Sequence, residues 1–347
     1  MAHFGPVVLF GSGETAAIGQ KAHHWLFSRL PQPIRVSILE TPAGFQPNSA
    51  WVAGEVSDFL KEHLTNFPLD ISVVPARQRG TEFSPDLPEI VAPLRTAGAL
   101  FLGAGSPTYA VTQLQGSLAW HVATGRHRLG AGLVLASAAV LAVSSKTLPV
   151  YEIYKVGEPL HWKPGLDFFA AYGLELVFVP HWNNTEGGAG LDTCYCFMGR
   201  QRFEKLVALL PASATVVGID EQTALVFDFA GCCWQVMGSG AVTLLHGGVE
   251  RRFESGSTFE MAELGHFRQP DPALGLPSDV WQDLQAANVE LEAPAQPEVP
   301  SKVTALVAER EAARQRRDWA AADQLRTQVA ALGWKIKDTP DGPAVSR

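Results

Sequence analysis

The sequence predicts an α/β fold with a doubly wound, mostly parallel sheet, and two observations carry this prediction. First, short apolar runs that end in Gly, Pro or small polar residues recur through the first two thirds of the chain. Several are apolar throughout, as expected for strands buried on both faces of a parallel sheet. Second, stretches of helical length with apolar residues at helical spacing separate these runs. Such βαβ alternation is typical of an open sheet that binds ligands outside the carboxyl ends of its strands.

The predicted elements follow in order along the chain. The strands are PVVLFGSGE (6–14), IRVSILETPAG (34–44), DISVVPA (70–76), ALFLGAGSP (99–107), GLVLASA (132–138) and LELVFVPHW (174–182). Helices are predicted over 15–30 and 48–64. From about residue 215, short runs separated by the turns GSG and HGG predict antiparallel strands that extend one edge of the sheet.

A smaller unit is predicted to follow the α/β domain, which spans residues 1–266. Residues 267–300 are rich in proline and are predicted to be a linker with one short helix around SDVWQDLQAA. Residues 301–347 contain two helical patterns broken near RRD, which predict a helical hairpin, and then a short β-hairpin with a Pro-Asp-Gly turn. The whole chain carries a net charge of −8, residues 301–347 contribute +3, and residues 1–300 therefore contribute −11. This change of sign supports a domain boundary.

The composition excludes several classes of protein. A net charge of −8 and an isoelectric point near 5.7 argue against a nucleic-acid coat protein or a membrane-surface protein. The first residues include no basic segment and their apolar run ends at Gly11, so we expect no signal peptide. Because no run reaches the roughly 18 apolar residues of a membrane span, we expect a cytoplasmic protein without a membrane partner.

The four cysteines, Cys194, Cys196, Cys232 and Cys233, have C-x-C and C-C spacing. Zinc sites more often use C-x2-C pairs, so the spacing favours reduced structural thiols over a metal site. A soft-metal site is the alternative. A cytosolic chain of this size needs no disulfide.

The segment GLVLASAAVLAVSS (132–145) places Ser137 between a predicted strand and a predicted helix. A serine at such an elbow can act as a nucleophile, because the backbone N–H that follows it points at the reacting carbonyl. Leu135 and Ala139 stand where the G-x-S-x-G elbow has glycines. The alternative is that Ser137 is only a small residue where two elements pack closely.

Two glycine-containing turns are further candidates. The turn GAG at 103–105 ends a buried strand, and its backbone N–H groups are candidate oxyanion donors. A tight turn between strand and helix explains these glycines equally well. The segment FGSGET (10–15) suggests a phosphate-binding loop that opens a helix, but it lacks the P-loop Lys.

Titratable side chains follow two later strands. His181 follows the apolar part of the run LELVFVPHW (174–182), and Asp220 and Glu221 follow the apolar residues VVGI (216–219). A carboxylate at this position could orient the imidazole of His181 as a general base. The alternatives are a structural or solvated histidine and solvated turn carboxylates.

The ordered segments ALFLGAGS, LASAAV, FVPHW and GIDEQTAL resemble the cyanophycinase and dipeptidase E family of serine peptidases. The resemblance covers roughly residues 5–245 and implies the class I glutamine amidotransferase-like α/β fold. It implies that Ser137 is the nucleophile, His181 the base and Glu221 the acidic third member of a catalytic triad. It also implies backbone oxyanion donors, for which the matching residues are Gly103, Ala104, Gly105 and Ala138.

This chain departs from the family pattern at three places. The G-x-S-A-G elbow is replaced by L-A-S-A-A, and the G-G-D-Q loop by G-A-G-S. The polar and basic residues that usually follow the histidine are replaced by WNNTEGG. The resemblance therefore implies a small peptide or amide as substrate without indicating cyanophycin or an aspartyl dipeptide.

The C-terminal residues 306–345, LVAEREAARQRRDWAAADQLRTQVAALGWKIKDTPDGPAV, resemble the end of bacterial cysteinyl-tRNA synthetases. The catalytic and zinc-binding motifs of those enzymes are absent from the sequence, so aminoacylation is not expected. The resemblance implies that five arginines could contact tRNA phosphates: Arg310, Arg314, Arg316, Arg317 and Arg326. The alternative is a salt-bridged hairpin that serves as a packing module.

Two hypotheses follow. The first is a serine hydrolase with a Ser-His-Glu triad that needs neither metal nor organic cofactor. The second is a non-catalytic binding module that residues 301–347 deliver to tRNA or to a protein partner. Amidotransferase chemistry is set aside, because that subclass uses a cysteine where this chain has Ser137. The oligomeric state is left open, with a homodimer among the alternatives.

Overall fold

The computed structural model describes residues 4–229, 231–292, 300–339 and 342–346, and the chain divides into two compact units, Met1–Leu291 and Glu292–Arg347. The strands are β1 (Val7–Phe10), β2 (Ile34–Leu39), β3 (Leu69–Val74), β4 (Ala99–Leu102), β5 (Gly132–Ala136), β6 (Lys146–Thr147), β7 (Lys163–Pro164), β8 (Leu176–Val179), β9 (Thr215–Ile219), β10 (Thr223–Asp228), β11 (Cys233–Gly238), β12 (Ala241–His246), β13 (Val249–Glu254), β14 (Thr258–Glu260), β15 (Lys335–Thr339) and β16 (Gly342–Ser346). The helices are α1 (Gly19–Phe27), α2 (Ser49–His63), α3 (Pro88–Val91), α4 (Pro107–Leu114), α5 (Leu118–Arg128), α6 (Ala138–Ala142), α7 (Arg200–Val207), α8 (Ser278–Glu292), α9 (Ser301–Gln315) and α10 (Trp319–Ala331). None of the helices in these described ranges is long and apolar enough to cross a bilayer.

The first unit is built around an eight-stranded sheet in the order β14-β11-β10-β1-β5-β4-β2-β3. Strands β1, β5, β4, β2 and β3 are parallel, and β10, β11 and β14 continue the sheet in antiparallel pairs. Alternate residues of the parallel strands enter two different buried clusters: Leu9 and Leu135 lie in one, and Val8 and Val134 in the other. Both sheet faces are therefore buried, which explains the continuous apolar runs. The predicted mixed α/β fold with a large, mostly parallel sheet is confirmed.

The predicted antiparallel extension of one sheet edge is correct for β10, β11 and β14 but wrong for β9, β12 and β13. Strands β8, β9, β12 and β13 form a second sheet in the order β13-β12-β9-β8, with β8 and β9 parallel. The antiparallel strands therefore divide between two sheets. The division occurs at the short turn between β9 and β10, where Gln222 has a positive φ of 54°. After this turn β10 pairs with β1, while β9 pairs with β8 and β12.

The first part of the predicted linker belongs to the first unit. Helix α8 buries Leu284 completely in the main core. From helix α5, Arg126 donates a hydrogen bond of 3.0 Å to the side-chain oxygen of Asn288. Arg128 donates to backbone carbonyls of the loop before α8. Because Arg128 binds backbone carbonyls that a linker would expose to solvent, this segment is packed on the first unit and is not a free linker.

The second unit contains α9, α10 and the antiparallel pair β15–β16. The side chain of Asp318 caps α10 by accepting a 3.1 Å hydrogen bond from the N–H of Ala321. Buried apolar side chains from both helices and from the segment after α10 form its core. The indole of Trp319, at the start of the apolar stripe in α10, is 60% exposed. The predicted linker residues 293–299 and most of the Pro-Asp-Gly turn lie outside the described residues.

Candidate active site

Ser137 lies at the junction of β5 and α6 and has a strained backbone. Its φ of 50° and ψ of −109° are unfavourable for a residue with a Cβ. Its N–H donates a 3.2 Å hydrogen bond to the carbonyl of Phe10, at the end of β1. This conformation is that of a sharp strand-to-helix elbow, which presents the side chain at the carboxyl edge of the sheet.

The residues that replace the elbow glycines fit the core. Leu135 is fully buried and pairs in register with Leu9 on one side and Leu102 on the other. Ala139, in the first turn of α6, joins the same buried cluster. A branched side chain is tolerated two residues before Ser137 because it extends the apolar layer beneath the sheet.

Three side chains form a continuous hydrogen-bonded chain. Oγ of Ser137 lies 2.9 Å from Nε2 of His181, and Nδ1 of His181 lies 3.2 Å from Oε1 of Glu221. The carboxylate can only accept, so Nδ1 carries the proton and Nε2 is left as an acceptor for the serine hydroxyl. The side chains of His181 and Glu221 are only 19% and 28% exposed. This arrangement can transfer a proton from Ser137 to His181.

Both sheets contribute to this chain. His181 follows β8 and Glu221 follows β9, and these neighbouring parallel strands deliver both side chains to one edge of the second sheet. The turn after β1 joins this edge to the first sheet, since the N–H of His181 donates to the carbonyl of Gly11 over 3.3 Å. A Cβ at Gly11 would lie 2.2 Å from the carbonyl oxygen of Asp220, so only glycine permits this close approach.

Two asparagines that sequence reasoning did not assign hold Glu221 in place. Nδ2 of the fully buried Asn184 donates a 2.8 Å hydrogen bond to Oε1 of Glu221. Oδ1 of Asn183 accepts a 2.8 Å hydrogen bond from the backbone N–H of Glu221. The hydrogen bond from His181, together with that from Asn184, lowers the pKa of the Glu221 carboxyl. The only signal in the sequence was the position of the pair, two and three residues after the histidine.

Asp220, the other carboxylate of this turn, points elsewhere. Its Oδ2 accepts hydrogen bonds from the N–H of Ala241 at 2.9 Å and from the guanidinium of Arg252 at 3.1 Å. It is almost completely buried. Asp220 therefore joins β9 to β12 and β13 and does not contact the imidazole of His181.

A cavity of about 300 Å³ opens beside Ser137. Its polar lining includes the side chains of Ser137 and His181. The thiol of Cys196 also borders the cavity, but burial raises its pKa to about 12, so it is protonated at neutral pH. The hydroxyl of Ser137 is thus better placed than this thiol to act as a nucleophile. All four cysteines lie in the described ranges and none is in a disulfide.

The predicted oxyanion residues divide between two cavities. Gly105 and Ala138 line the cavity of Ser137, whereas Gly103 and Ala104 line a neighbouring cavity of about 260 Å³. Gly105 has a φ of 151°, and a Cβ there would lie 1.9 Å from the carbonyl oxygen of Pro42. The glycine is therefore required by the packing of this loop.

The phosphate-loop interpretation of residues 10–15 is wrong. Helix α1 begins only at Gly19, so the glycines of this segment do not open it. The neighbouring cavity is bordered by the carboxyl groups of Glu14 and Glu40, and burial raises the pKa of the Glu14 carboxyl. The described residues that line this cavity include no lysine or arginine, so they offer no cationic partner to a phosphate group.

In the second unit, Arg310 and Arg314 make internal ion pairs. The guanidinium of Arg310 is only 5% exposed and binds both carboxylate oxygens of Asp338, at 2.9 and 3.0 Å. Arg314 binds the same carboxylate at 2.7 Å. Hydrogen bonds from Arg310, with the charges of both arginines, lower the pKa of Asp338 to about 2. Arg310 is therefore buried away from any phosphate, whereas Arg316, Arg317 and Arg326 are exposed.

Comparison with known proteins gives a match in fold, to a peptidase, and a separate match in sequence for the C-terminal segment. A solved structure of a peptidase from an acI-B1 Actinobacterium is 20% identical, with a TM-score of 0.60, and covers 75% of this chain and 98% of that chain. Residues 296–343 match the family model of the cysteinyl-tRNA ligase anticodon binding domain. The predicted likeness to peptidases is thus confirmed as one of fold, and the predicted likeness of the C-terminal segment is confirmed from sequence.

Two curated relatives match a short segment of this chain. The cysteine–tRNA ligase of Opitutus terrae is 49% identical over 59 residues, which are 16% of this chain and 13% of that ligase. Cysteine–tRNA ligase 1 of Burkholderia lata is 47% identical over 72 residues, or 21% of this chain and 13% of that ligase. The chain thus spans only a small fraction of the length of the curated relatives it matches.

Proposed function

We propose that this chain is a serine hydrolase that cleaves a small peptide or amide through an acyl-enzyme on Ser137. The hydrogen-bonded chain from Ser137 through His181 to Glu221, at the wall of a cavity, is the observation that carries the proposal. The likeness in fold to a peptidase agrees with it. The proposed chemistry requires no metal or organic cofactor. The cytoplasmic location and the homodimer remain predictions.

Each side chain has one role in the proposed reaction. Nε2 of His181 takes the hydroxyl proton as Oγ of Ser137 attacks the substrate carbonyl, and it returns that proton to the leaving amine. The ionised Glu221 keeps the proton of His181 on Nδ1 and stabilises the imidazolium that forms. Water then repeats the sequence on the acyl-enzyme and releases the acid.

The negative oxygen of the tetrahedral intermediate needs N–H donors within hydrogen-bond reach. In this proposal one is the N–H of Ala138, which follows the nucleophile. The other comes from the loop of Gly103, Ala104 and Gly105. The cavity of about 300 Å³ suits a substrate of small-peptide size.

Labelling with a fluorophosphonate probe tests the proposal, because the probe reacts only with an activated serine. We expect the wild type to be labelled, and we expect Ser137→Ala and His181→Ala to lose labelling. Turnover of any amide that the wild type cleaves should fall by about 10³-fold or more in both variants. A folded wild type that resists labelling, or labelling that survives Ser137→Ala, would contradict the proposal.

A second candidate function is binding of tRNA through residues 301–347, with or without catalysis in the first unit. The match to an anticodon binding domain and the exposed Arg316, Arg317 and Arg326 favour it. We expect the full chain to retain tRNA at low salt and the triple Arg→Gln variant to lose affinity, with a shallower dependence on salt. Unchanged binding in that variant, or no binding of tRNA by the wild type at low salt, would count against this function.

A further inference from the structure

One wall of the cavity beside Ser137 is aromatic. Tyr151, Tyr154 and Phe197 line it, and the ring centroids of Tyr154 and Phe197 are 5.4 Å apart. The ring of Phe197 lies 6.2 Å from the imidazole of His181, so this wall reaches the proposed catalytic base. A group bound here next to Ser137 would contact flat apolar faces, which favour an aromatic or hydrocarbon group.

The aromatic wall is anchored from its outer side. The guanidinium of Arg202 donates to the carbonyls of Phe197, at 2.9 Å, and Met198, and it lies 5.8 Å from the ring of Tyr154. Tyr154 belongs to a π-helical turn, Glu152–Val156, whose first residue binds Nζ of Lys163 at 3.1 Å. Such π-helical turns occur frequently at functional sites. The wall is therefore held in place before any ligand arrives.

A single lysine borders this wall. Among the described residues that line the cavity, Lys155 alone carries a permanent positive charge, and Glu186, in the segment after His181 and not beside Tyr154 in sequence, is the one carboxylate. Its Nζ lies 4.9 Å from the centroid of the Tyr154 ring, and no ion pair is found for it in the described part of the chain. By contrast, the guanidinium of Arg202 donates its hydrogen bonds to backbone carbonyls. The ammonium of Lys155 is thus the cation that a bound group can reach.

We infer that Lys155 selects the substrate, and that the cavity takes an acyl group that is aromatic or hydrocarbon and ends in a carboxylate. The inference rests on the proposed hydrolase function and adds the substrate class. The carboxylate would pair with the ammonium of Lys155, the apolar part would lie against Tyr151, Tyr154 and Phe197, and the carbonyl would reach Ser137. An acyl group that ends in an ammonium would be repelled.

Three p-nitroanilides that share a phenylacetyl core and differ only at the para position test the inference: the 4-carboxyphenylacetyl, phenylacetyl and 4-(aminomethyl)phenylacetyl compounds. We expect the wild type to give a kcat/KM about tenfold higher for the anionic probe than for the neutral one, and the lowest value for the cationic probe. Lys155→Met should remove this preference and Lys155→Glu should reverse it, when each is measured as the ratio of kcat/KM between the charged probe and the neutral one. High salt should weaken the preference of the wild type.

Lys205→Met is the matched control, because it removes the charge of an exposed lysine in α7 that does not line the cavity. Turnover that depends on Ser137 but shows no charge preference, or a preference that Lys155→Met leaves intact, would overturn the inference and leave the proposed function standing. If Ser137 cleaves none of the probes, calorimetric binding of 4-carboxyphenylacetamide and phenylacetamide decides the inference separately. Tighter binding of the anionic amide that Lys155→Met abolishes would support it, and equal binding would overturn it.

Discussion

Glu221 in the first unit and Asp338 in the second are both carboxylates that hold a nitrogen base or cation. Glu221 binds one imidazole nitrogen of His181 and leaves the other 2.9 Å from the hydroxyl of Ser137. Asp338 binds the guanidinium groups of Arg310 and Arg314, which have only N–H donors and no atom that can accept a proton. The same kind of contact therefore orients a proton acceptor in one unit and only fixes packing in the other. The difference lies in the side chain that the carboxylate binds: an imidazole keeps a second nitrogen that can accept a proton, and a guanidinium does not.

Among the variants that test this comparison, Glu221→Gln is expected to have the largest effect. Glu221→Gln keeps the shape of the side chain but removes the charge that stabilises the imidazolium, so kcat should fall about a hundredfold or more. The measurement is turnover of any amide that the wild type cleaves. The neighbouring Asp220→Asn is the matched control, because Asp220 binds Ala241 and Arg252 and should alter stability more than kcat. Equal losses of kcat in the two variants would contradict the separate roles.

A smaller effect is expected at Asn184, whose side chain binds the Glu221 carboxylate and whose backbone N–H, which the substitution keeps, binds the carbonyl of His181. Asn184→Ala removes one buried hydrogen bond to the carboxylate, so kcat should fall about three- to tenfold and the pKa of the Glu221 carboxyl should rise. The sign follows because the lost donor is one of the groups that lower this pKa. An NMR titration of the carboxyl measures the pKa, and a value equal to that of the wild type would show that Asn184 only fills space.

The smallest effect is expected at Asp338. Its pKa falls from an ordinary value of 3.8 to about 2 in the folded protein, so its contribution to stability is present above pH 3.8 and lost as the pH falls toward 2. Asp338→Asn should therefore unfold the second unit at a lower temperature at pH 7 and pH 5 alike, with a smaller difference at pH 3. Calorimetry of the full chain at these pH values checks this. A difference that changes between pH 7 and pH 5 would point to another titrating group.

Local sequence was sufficient for the main strands and for the order of the candidate site residues. The runs that became β1, β4 and β5 could be read because burial on both faces leaves no charged or polar side chain in them. Ser137, His181 and the pair Asp220–Glu221 could be singled out because each lies at the end of an apolar run. The family resemblance chose Glu221 over Asp220, and the structure joins the side chains of Ser137, His181 and Glu221 by hydrogen bonds. Their catalytic roles remain predictions.

The sequence by itself determined the main strands and helices, because side-chain periodicity and turn residues are local properties. It also determined at which strand ends polar side chains lie. Only the tertiary structure decided that β8 and β9 leave the main sheet, that α8 packs on the first unit, that Asn184 binds Glu221 and that Arg310 is buried. Each of these depends on a partner distant in the chain. An apolar run is compatible with several neighbouring strands, and a charged side chain with several partners. The choice among them is made by the packing of the whole unit.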